Sequence, residues 1–348
     1  MDSAPQRRVS HPQVVVITGA SAGVGRATAR AFARRGARIG LIAGGHDGLA
    51  ATGDEVEALG GRAFVYSADV ANANQIERAA DAIETALGGI DVWINNAMTS
   101  VFSPISELGA DEIRRVTEVT YLGTVHGTLA ALRRMRGRGH GTIVQVGSAL
   151  AFRAIPLQAA YCAAKHAVQG FTESLRCELL HERSRIRVTM VHLPAMNTPH
   201  FSWARSRLPR KPQPVPPIYQ PEIAADAIVW AVDHGRRELQ VGMPTSVAIE
   251  GNKVFSSLMD RYLARNGYDS QQTDEPVEPD RQDNLWEPLP GDRGAHGDFG
   301  DRSSGFSLHL WLNTHRAWLA VATGVAAVTC SLLAARTTEN AGDVKLVR

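Results

Sequence analysis

Five consecutive residues, Val14-Val15-Val16-Ile17-Thr18, run straight into Gly19-Ala20-Ser21-Ala22-Gly23-Val24-Gly25, and the stretch from Val24 to Arg35 has helical composition. A short, unbroken β-branched run is the pattern of a strand buried on both faces, as in parallel sheets covered by helices. Glycines between such a strand and a helix allow a tight turn. They also let backbone N–H groups approach a pyrophosphate, which the helix N-terminus then favours electrostatically. Glycine triads alone are common in turns; the placement between strand and helix gives this one meaning.

The same alternation repeats. Strands are expected at Arg38–Ala43, Arg62–Ser67, Ile90–Asn95, Thr142–Gly147, Arg187–His192 and Glu238–Val241. Helices are expected at Asp47–Leu59, Asn72–Leu87, Asp111–Met135, Ala159–His181, Pro221–His234 and Thr245–Arg265. Strands alternating with helices of this length predict right-handed βαβ units: an α/β fold with a doubly wound parallel sheet of about seven strands.

A chemical constellation sits on the later elements. Tyr161 and Lys165 stand four residues apart on one expected helix face, and Ser148 follows the strand that precedes it. A free phenol titrates near 10, too high for an efficient base near neutrality, and a cation held close lowers that value. Tyr161 is then the proton-exchanging group, Ser148 a hydrogen-bond partner for the substrate oxygen, and Lys165 the group that tunes Tyr161. An isolated YxxxK is usually a solvated helix face; Ser148 and the glycine loop upstream are what favour chemistry here.

With TGxxxGxG at Thr18–Gly25, Asp69-Val70 after the third strand, Asn95-Asn96-Ala97 after the fourth, and Ser148 with Tyr161-x-x-x-Lys165, the chain resembles the short-chain dehydrogenase/reductase family over about residues 12–245. The resemblance implies a Rossmann-type dinucleotide fold and hydride transfer between a nicotinamide cofactor and an alcohol or carbonyl of a small molecule. It also implies cofactor contacts from Thr18, Gly19, Ser21, Gly23, Val24, Gly25, Asp69, Val70, Asn95, Asn96, Ala97, Tyr161, Lys165 and Thr198, and association into a homo-oligomer. The sequence departs from the family in three places: Met98 stands for a glycine, Thr120 for a catalytic asparagine, and Pro194-Ala195 for Pro-Gly. Thr120 could hold a relay water through its hydroxyl, or be structural. The second strand ends Ala43-Gly44-Gly45-His46, with neither the acid that accepts a ribose 2′-OH nor an arginine for a 2′-phosphate. Lacking a repelling carboxylate, that end leans towards NADP over NAD.

The formal charge of +2 hides an uneven distribution. Residues 269–304 hold ten acids against three arginines, a net of −7; residues 308–348 carry +2, leaving +7 on the first 268. The acidic stretch has four prolines and no apolar periodicity, so residues 269–307 read as a disordered linker that cannot bury enough surface to offset its ordering entropy. After it, a C-terminal helix is expected over 308–336, with a polar tail at 337–348. Within that helix, Ala317–Ala335 carries no charge and is flanked by Arg316 and Arg336. As a helix it would span ~28 Å, close to the ~30 Å hydrocarbon core, which suggests a membrane tether; the alternative is a helix packed on protein. Residues 1–11 read as a flexible terminus with no secretory or twin-arginine signal, so the catalytic domain is expected to be cytoplasmic.

Pro199–Pro221 holds Arg205, Arg207, Arg210, Lys211 and six prolines from Pro209 onward, and matches the family's variable substrate loop, a candidate lid. Arg133, Arg134, Arg136 and Arg138 close a helix and suit its C-terminal dipole; a lipid face or the acidic stretch is the alternative partner. No aromatic stacking array accompanies them, so nucleic acid is not expected. Three cysteines exclude a disulfide scaffold, and histidine spacing suggests no metal site. The competing functional reading is a dinucleotide sensor without turnover.

Overall fold

A computed structural model describes residues 12–278 and 280–316. Seven parallel strands form the central sheet: β1 Val14–Thr18, β2 Arg38–Ala43, β3 Arg62–Ser67, β4 Val92–Asn95, β5 Gly141–Ser148, β6 Ile186–Leu193 and β7 Glu238–Gln240. Their order is β7-β6-β5-β4-β1-β2-β3. The chain builds outward from β1 to β3, then crosses to the other side of β1 and builds outward again. Beyond the carboxyl ends of β1 and β4 the crossovers diverge, and a crevice opens there, as in doubly wound sheets generally.

The helices are α1 Gly23–Ala33, α2 His46–Ala58, α3 Ala73–Leu87, α4 Ala110–Val116, α5 Gly123–Arg138, α6 Ala159–His181, α7 Pro221–His234 and α8 Met243–Asn266. They cover both sheet faces, with α1 against α7 and α3 against α5. The central strands are buried because their β-branched residues meet helices on either side: Val14, Val15, Val16 and Ile17 are all inaccessible to solvent, whereas edge strand β3 is only partly buried. A helix expected over Asp111–Met135 is present but interrupted, since Thr117–Leu122 between α4 and α5 winds as a π-helix. Wide turns of this kind frequently accompany functional sites.

The arginine cluster ending α5 pairs with acids of neighbouring elements, not with the acidic stretch. Arg133 and Arg134 pair with Glu77, Arg134 also with Asp81, Arg138 with Glu84, and Arg136 with Glu182.

The largest departure from expectation concerns residues 269–307, read from charge as a disordered linker. Gln272–Pro276 pairs antiparallel with Arg210–Pro212, and Ser303–Ser304 pairs parallel with Ile218–Tyr219. Arg210 bonds Asp269 at 2.6 Å and Lys211 bonds Glu275 at 2.7 Å. The physical reason is complementarity: the acids of this segment meet the basic loop 199–221, and Leu285 and Ala295 are buried. Its ordering therefore draws on contacts that lie far away in sequence.

The chain divides into two compact units, 1–307 and 308–348. In the second, Leu308–Thr314 is helical and Trp311 stacks on His315 with centroids 4.6 Å apart. The uncharged segment 317–335, the polar tail and the N-terminal residues 1–11 lie outside the described residues. Among the described residues no helix is long and apolar enough to cross a membrane.

Candidate active site

The loop between β1 and α1 needs its glycines for distinct reasons. Gly19 and Gly23 adopt φ of +65° and +55°, a region open to glycine at no steric cost. Gly25 is needed for space, because a Cβ there would fall 2.1 Å from the Gly19 carbonyl oxygen. The loop is clasped to the end of β4. Thr18 Oγ1 accepts the Asn96 and Ala97 N–H groups at 3.0 and 3.1 Å, and Asn96 Nδ2 donates to the Thr18 and Gly19 carbonyls at 3.0 and 3.1 Å.

Asn95, expected at the cofactor, is instead buried on the α5 side of the sheet. Side chains alternate along β4, so Asn95 shares a face with Trp93, whose Nε1 donates to Asn95 Oδ1 at 2.8 Å. Its Nδ2 donates to Thr128 Oγ1 and Gln145 Oε1 at 3.0 and 2.9 Å, completing a satisfied core network. Its neighbours Asn96 and Ala97 do reach the crevice.

That crevice is a cleft of about 790 Å³. Gly19, Ser21, Gly23 and Val24 line its phosphate end, Asp69 and Val70 lie along one wall, Thr198 borders it, and Ser148 and Tyr161 face its far end. Thr18, Gly25 and Lys165 shape the surrounding structure rather than the cleft wall. A glycine loop opening a helix, with no room for a Cβ at Gly25, joined by one cleft to a serine–tyrosine pair, fits a nicotinamide dinucleotide. Among the described residues no group of histidine, cysteine and acids is placed to hold a metal.

Ser148 is the last residue of β5, and its Oγ accepts the Leu150 N–H at 3.1 Å. It lines the cleft together with Tyr161 and acts on the phenol's proton affinity. Burial raises the Tyr161 phenol above its ordinary value, while Ser148 acts in the opposite sense. Lys165, on the next turn of α6, donates from Nζ to the Val146 carbonyl at 2.7 Å, and its ammonium lies 5.7 Å from the Tyr161 ring centroid. Burial lowers Lys165 to about 8. The expected depression of Tyr161 by Lys165 is not found: loss of water around the phenol raises it instead.

Thr120 is fully buried on the π-helical turn. Its hydroxyl donates to the Thr99 carbonyl at 3.0 Å and accepts the Thr99 N–H at 3.1 Å. With its hydrogen committed to Thr99, it is engaged in holding the loop after β4.

Several cleft residues carried no local sequence signal. Arg115 of α4 bonds Asp69 Oδ2 through Nη1 at 2.7 Å and the Leu285 carbonyl through Nε at 3.0 Å. His200 lies 2.8 Å from Ser100 Oγ through Nε2 and is pushed down to about 4, first by burial and then by Arg281. Asn284–Pro288 borders the cleft from the acidic segment, where the apolar pair Leu285-Trp286 was the one available hint.

Residues 13–208 match the family model described as short chain dehydrogenase. The chain is 34% identical over 288 residues to the uncharacterized oxidoreductase YxnA of Bacillus subtilis, covering 82% of this chain and 81% of that protein. A match of 82% of the chain cannot fit within the first 268 residues, so it takes in part of the acidic segment. The chain is also 32% identical to the oxidoreductase named SadH of Mycobacterium tuberculosis, over 72% of this chain and 94% of that one. With the Acinetobacter baylyi protein named fatty acyl-CoA reductase it shares 30% identity over 63% of this chain and 72% of the other. The non-catalytic sensor reading falls away beside oxidoreductase relatives of this extent. The chain belongs to the short-chain dehydrogenase family, as an NAD(P)-dependent oxidoreductase that moves a hydride between a nicotinamide cofactor and an alcohol or carbonyl group of a small molecule.

Proposed function

We propose that the cleft interconverts an apolar alcohol and its carbonyl compound, with Tyr161 exchanging the proton of the substrate oxygen. The observation that carries this reading is that Ser148 and Tyr161 line the same cleft as the glycine loop. The bound dinucleotide supplies the hydride. Ser148 hydrogen-bonds the substrate oxygen and steadies the charge that develops there. With burial raising the phenol above its ordinary value, Tyr161 carries its proton at neutral pH and can donate it to a carbonyl oxygen. Lys165, buried behind the cleft wall, holds positive charge beside the phenol.

The apolar character follows from the lining of the cleft, which includes Leu150, Ile155, Met196, Phe201, Trp203 and Val215. One relative is named a fatty acyl-CoA reductase, in keeping with a substrate of that kind. Tethering of the cytoplasmic catalytic domain through residues 317–335 would bring it to membrane-partitioned substrates, and deletion of 308–348 should then release it from membranes. We further infer a homo-oligomer, measurable by light scattering.

The experiment is turnover of NADH or NADPH against fatty, steroid and retinoid aldehydes and short polar ones, with Tyr161→Phe alongside. Preferential turnover of the apolar carbonyls, lost in Tyr161→Phe while cofactor binding persists, is expected. Equal turnover by both proteins overturns the role of Tyr161, and preference for the short polar aldehydes overturns the substrate class.

A further inference from the structure

The acidic segment crosses the mouth of the cleft in a definite order. Arg115 holds the Leu285 carbonyl at 3.0 Å beside Asp69. Pro288 then lies against the end of β2, close enough that a Cβ on Gly45 would meet its ring at 3.4 Å and one on Gly44 at 3.7 Å. Next, the Gly291 N–H donates to Asp47 Oδ2 at 2.7 Å, and the Gly294 carbonyl accepts the Gly23 N–H at 3.2 Å. Asp292 pairs with Arg26, which is 3% exposed and also bonds Glu55 at 2.8 Å. A buried guanidinium left without its carboxylates is costly, so Arg26 anchors the segment firmly.

Glu287 sits between the Leu285 and Pro288 contacts and lines the cleft together with Gly44, Gly45 and Ser67. Its neighbour Pro288 lies at the end of β2, where the sequence itself offers no acid. Among the described cleft-lining residues, Arg115 is the one guanidinium, and the Asp69 carboxylate and Leu285 carbonyl already engage it. No cation among the described residues forms an ion pair with Glu287.

We propose that residues 284–288 are the outer wall of the adenosine end of the cofactor site, and that Glu287 selects NAD(H) over NADP(H) from there. The inference rests on the dinucleotide reading of the cleft. A carboxylate at this position accepts a hydrogen bond from a ribose 2′-hydroxyl and repels a 2′-phosphate. The lean towards NADP, drawn from the bare Gly44-Gly45 end of β2, is reversed because the missing acid arrives from a segment more than two hundred residues later.

The test is a fluorescence titration of the full chain with NADH and with NADPH, without substrate, for wild type, Glu287→Gln, Glu287→Arg and Asp292→Asn. Wild type should bind NADH at least about tenfold more tightly than NADPH. Glu287→Gln should bring the ratio towards one by tightening NADPH, Glu287→Arg should invert it, and Asp292→Asn, which loosens the anchor, should lower it. A ratio unchanged in both Glu287 variants, or tighter NADPH binding by wild type, overturns the selectivity while leaving the cofactor site intact. Failure of wild type to bind either dinucleotide overturns the site reading as well.

Discussion

The Lys165 ammonium lies 5.7 Å from the centroid of the Tyr161 ring and is held there by the Val146 carbonyl, 2.7 Å from Nζ. Burial acts on the two groups in opposite directions, raising the phenol and lowering the ammonium to about 8. In the free chain Lys165 therefore loses its proton before Tyr161. The consequence for stability has a definite sign. Between about 8 and the ordinary lysine value of 10.5 the unfolded chain binds the extra proton, so stability attributable to Lys165 rises with pH across that window. Relative to Lys165→Met, wild type should gain up to about 3 kcal/mol between pH 8 and 10.5. Urea unfolding of both proteins across that range measures it, and parallel curves would show that Lys165 keeps its ordinary affinity for the proton.

Glu112, 3% exposed at the start of α4, receives Arg205 Nε at 2.7 Å and Arg207 Nη2 at 2.8 Å. It thereby pins the loop that contributes Phe201 and Trp203 to the cleft. Burial alone would raise its carboxyl, but Arg207, the Gly109 N–H and Arg205 outweigh burial and hold it below the ordinary 4.5. Its contribution is present above 4.5 and is lost as pH falls through the lower folded value. Glu112→Ala should cost about 2 kcal/mol, less than for a fully buried pair because both arginines are partly solvated. It should also raise KM more than it lowers kcat, since the loop and not the proton-transfer group is disturbed. Thermal unfolding and steady-state kinetics on one preparation test both parts.

The sheet was legible because its central strands are buried on both faces, which forces compact apolar runs, while edge strand β3, only partly buried, was marked by its place between two helices. The Ser148, Tyr161 and Lys165 set was legible because two of its members share one helix and the third ends a strand. Asn95 misled, since the motif names a position while strand alternation decides which way its side chain turns: towards Trp93 and away from the cleft. The acidic segment misled for a different reason. Local charge density says nothing about partners such as Arg210, Lys211 and Arg26, each of which meets its acid at long range.

Gly25 has no room for a side chain, because a Cβ would sit 2.1 Å from the Gly19 carbonyl oxygen and 2.7 Å from Asn96 Nδ2. Neither neighbour can move freely: the carbonyl is backbone, and Asn96 is clasping the loop. Gly25→Ala should cost about 1–3 kcal/mol through this overlap. It should also weaken binding of both dinucleotides at least about tenfold, as the loop's N–H groups are turned away. Equal losses for NADH and NADPH distinguish this loop effect from any change in selectivity. Titration of the variant with each nucleotide is sufficient, and unimpaired binding would mean that the loop tolerates displacement.

Thr120 separates a relay role from a positioning one. Its hydroxyl both donates to and accepts from the Thr99 peptide, at 3.0 and 3.1 Å, in a site closed to solvent. Thr120→Val keeps the shape but leaves a buried N–H and a buried carbonyl unpaired, which should cost about 1–3 kcal/mol. Thr120→Ser keeps the hydroxyl and should restore most of that stability. If the residue positions the loop after β4, turnover should follow stability through the two variants, and the pH dependence of kcat should stay where it is in wild type. A relay role would instead shift that pH dependence in Thr120→Val at temperatures where the variant is fully folded. Measuring kcat against pH for both variants, well below their unfolding transitions, decides between the two.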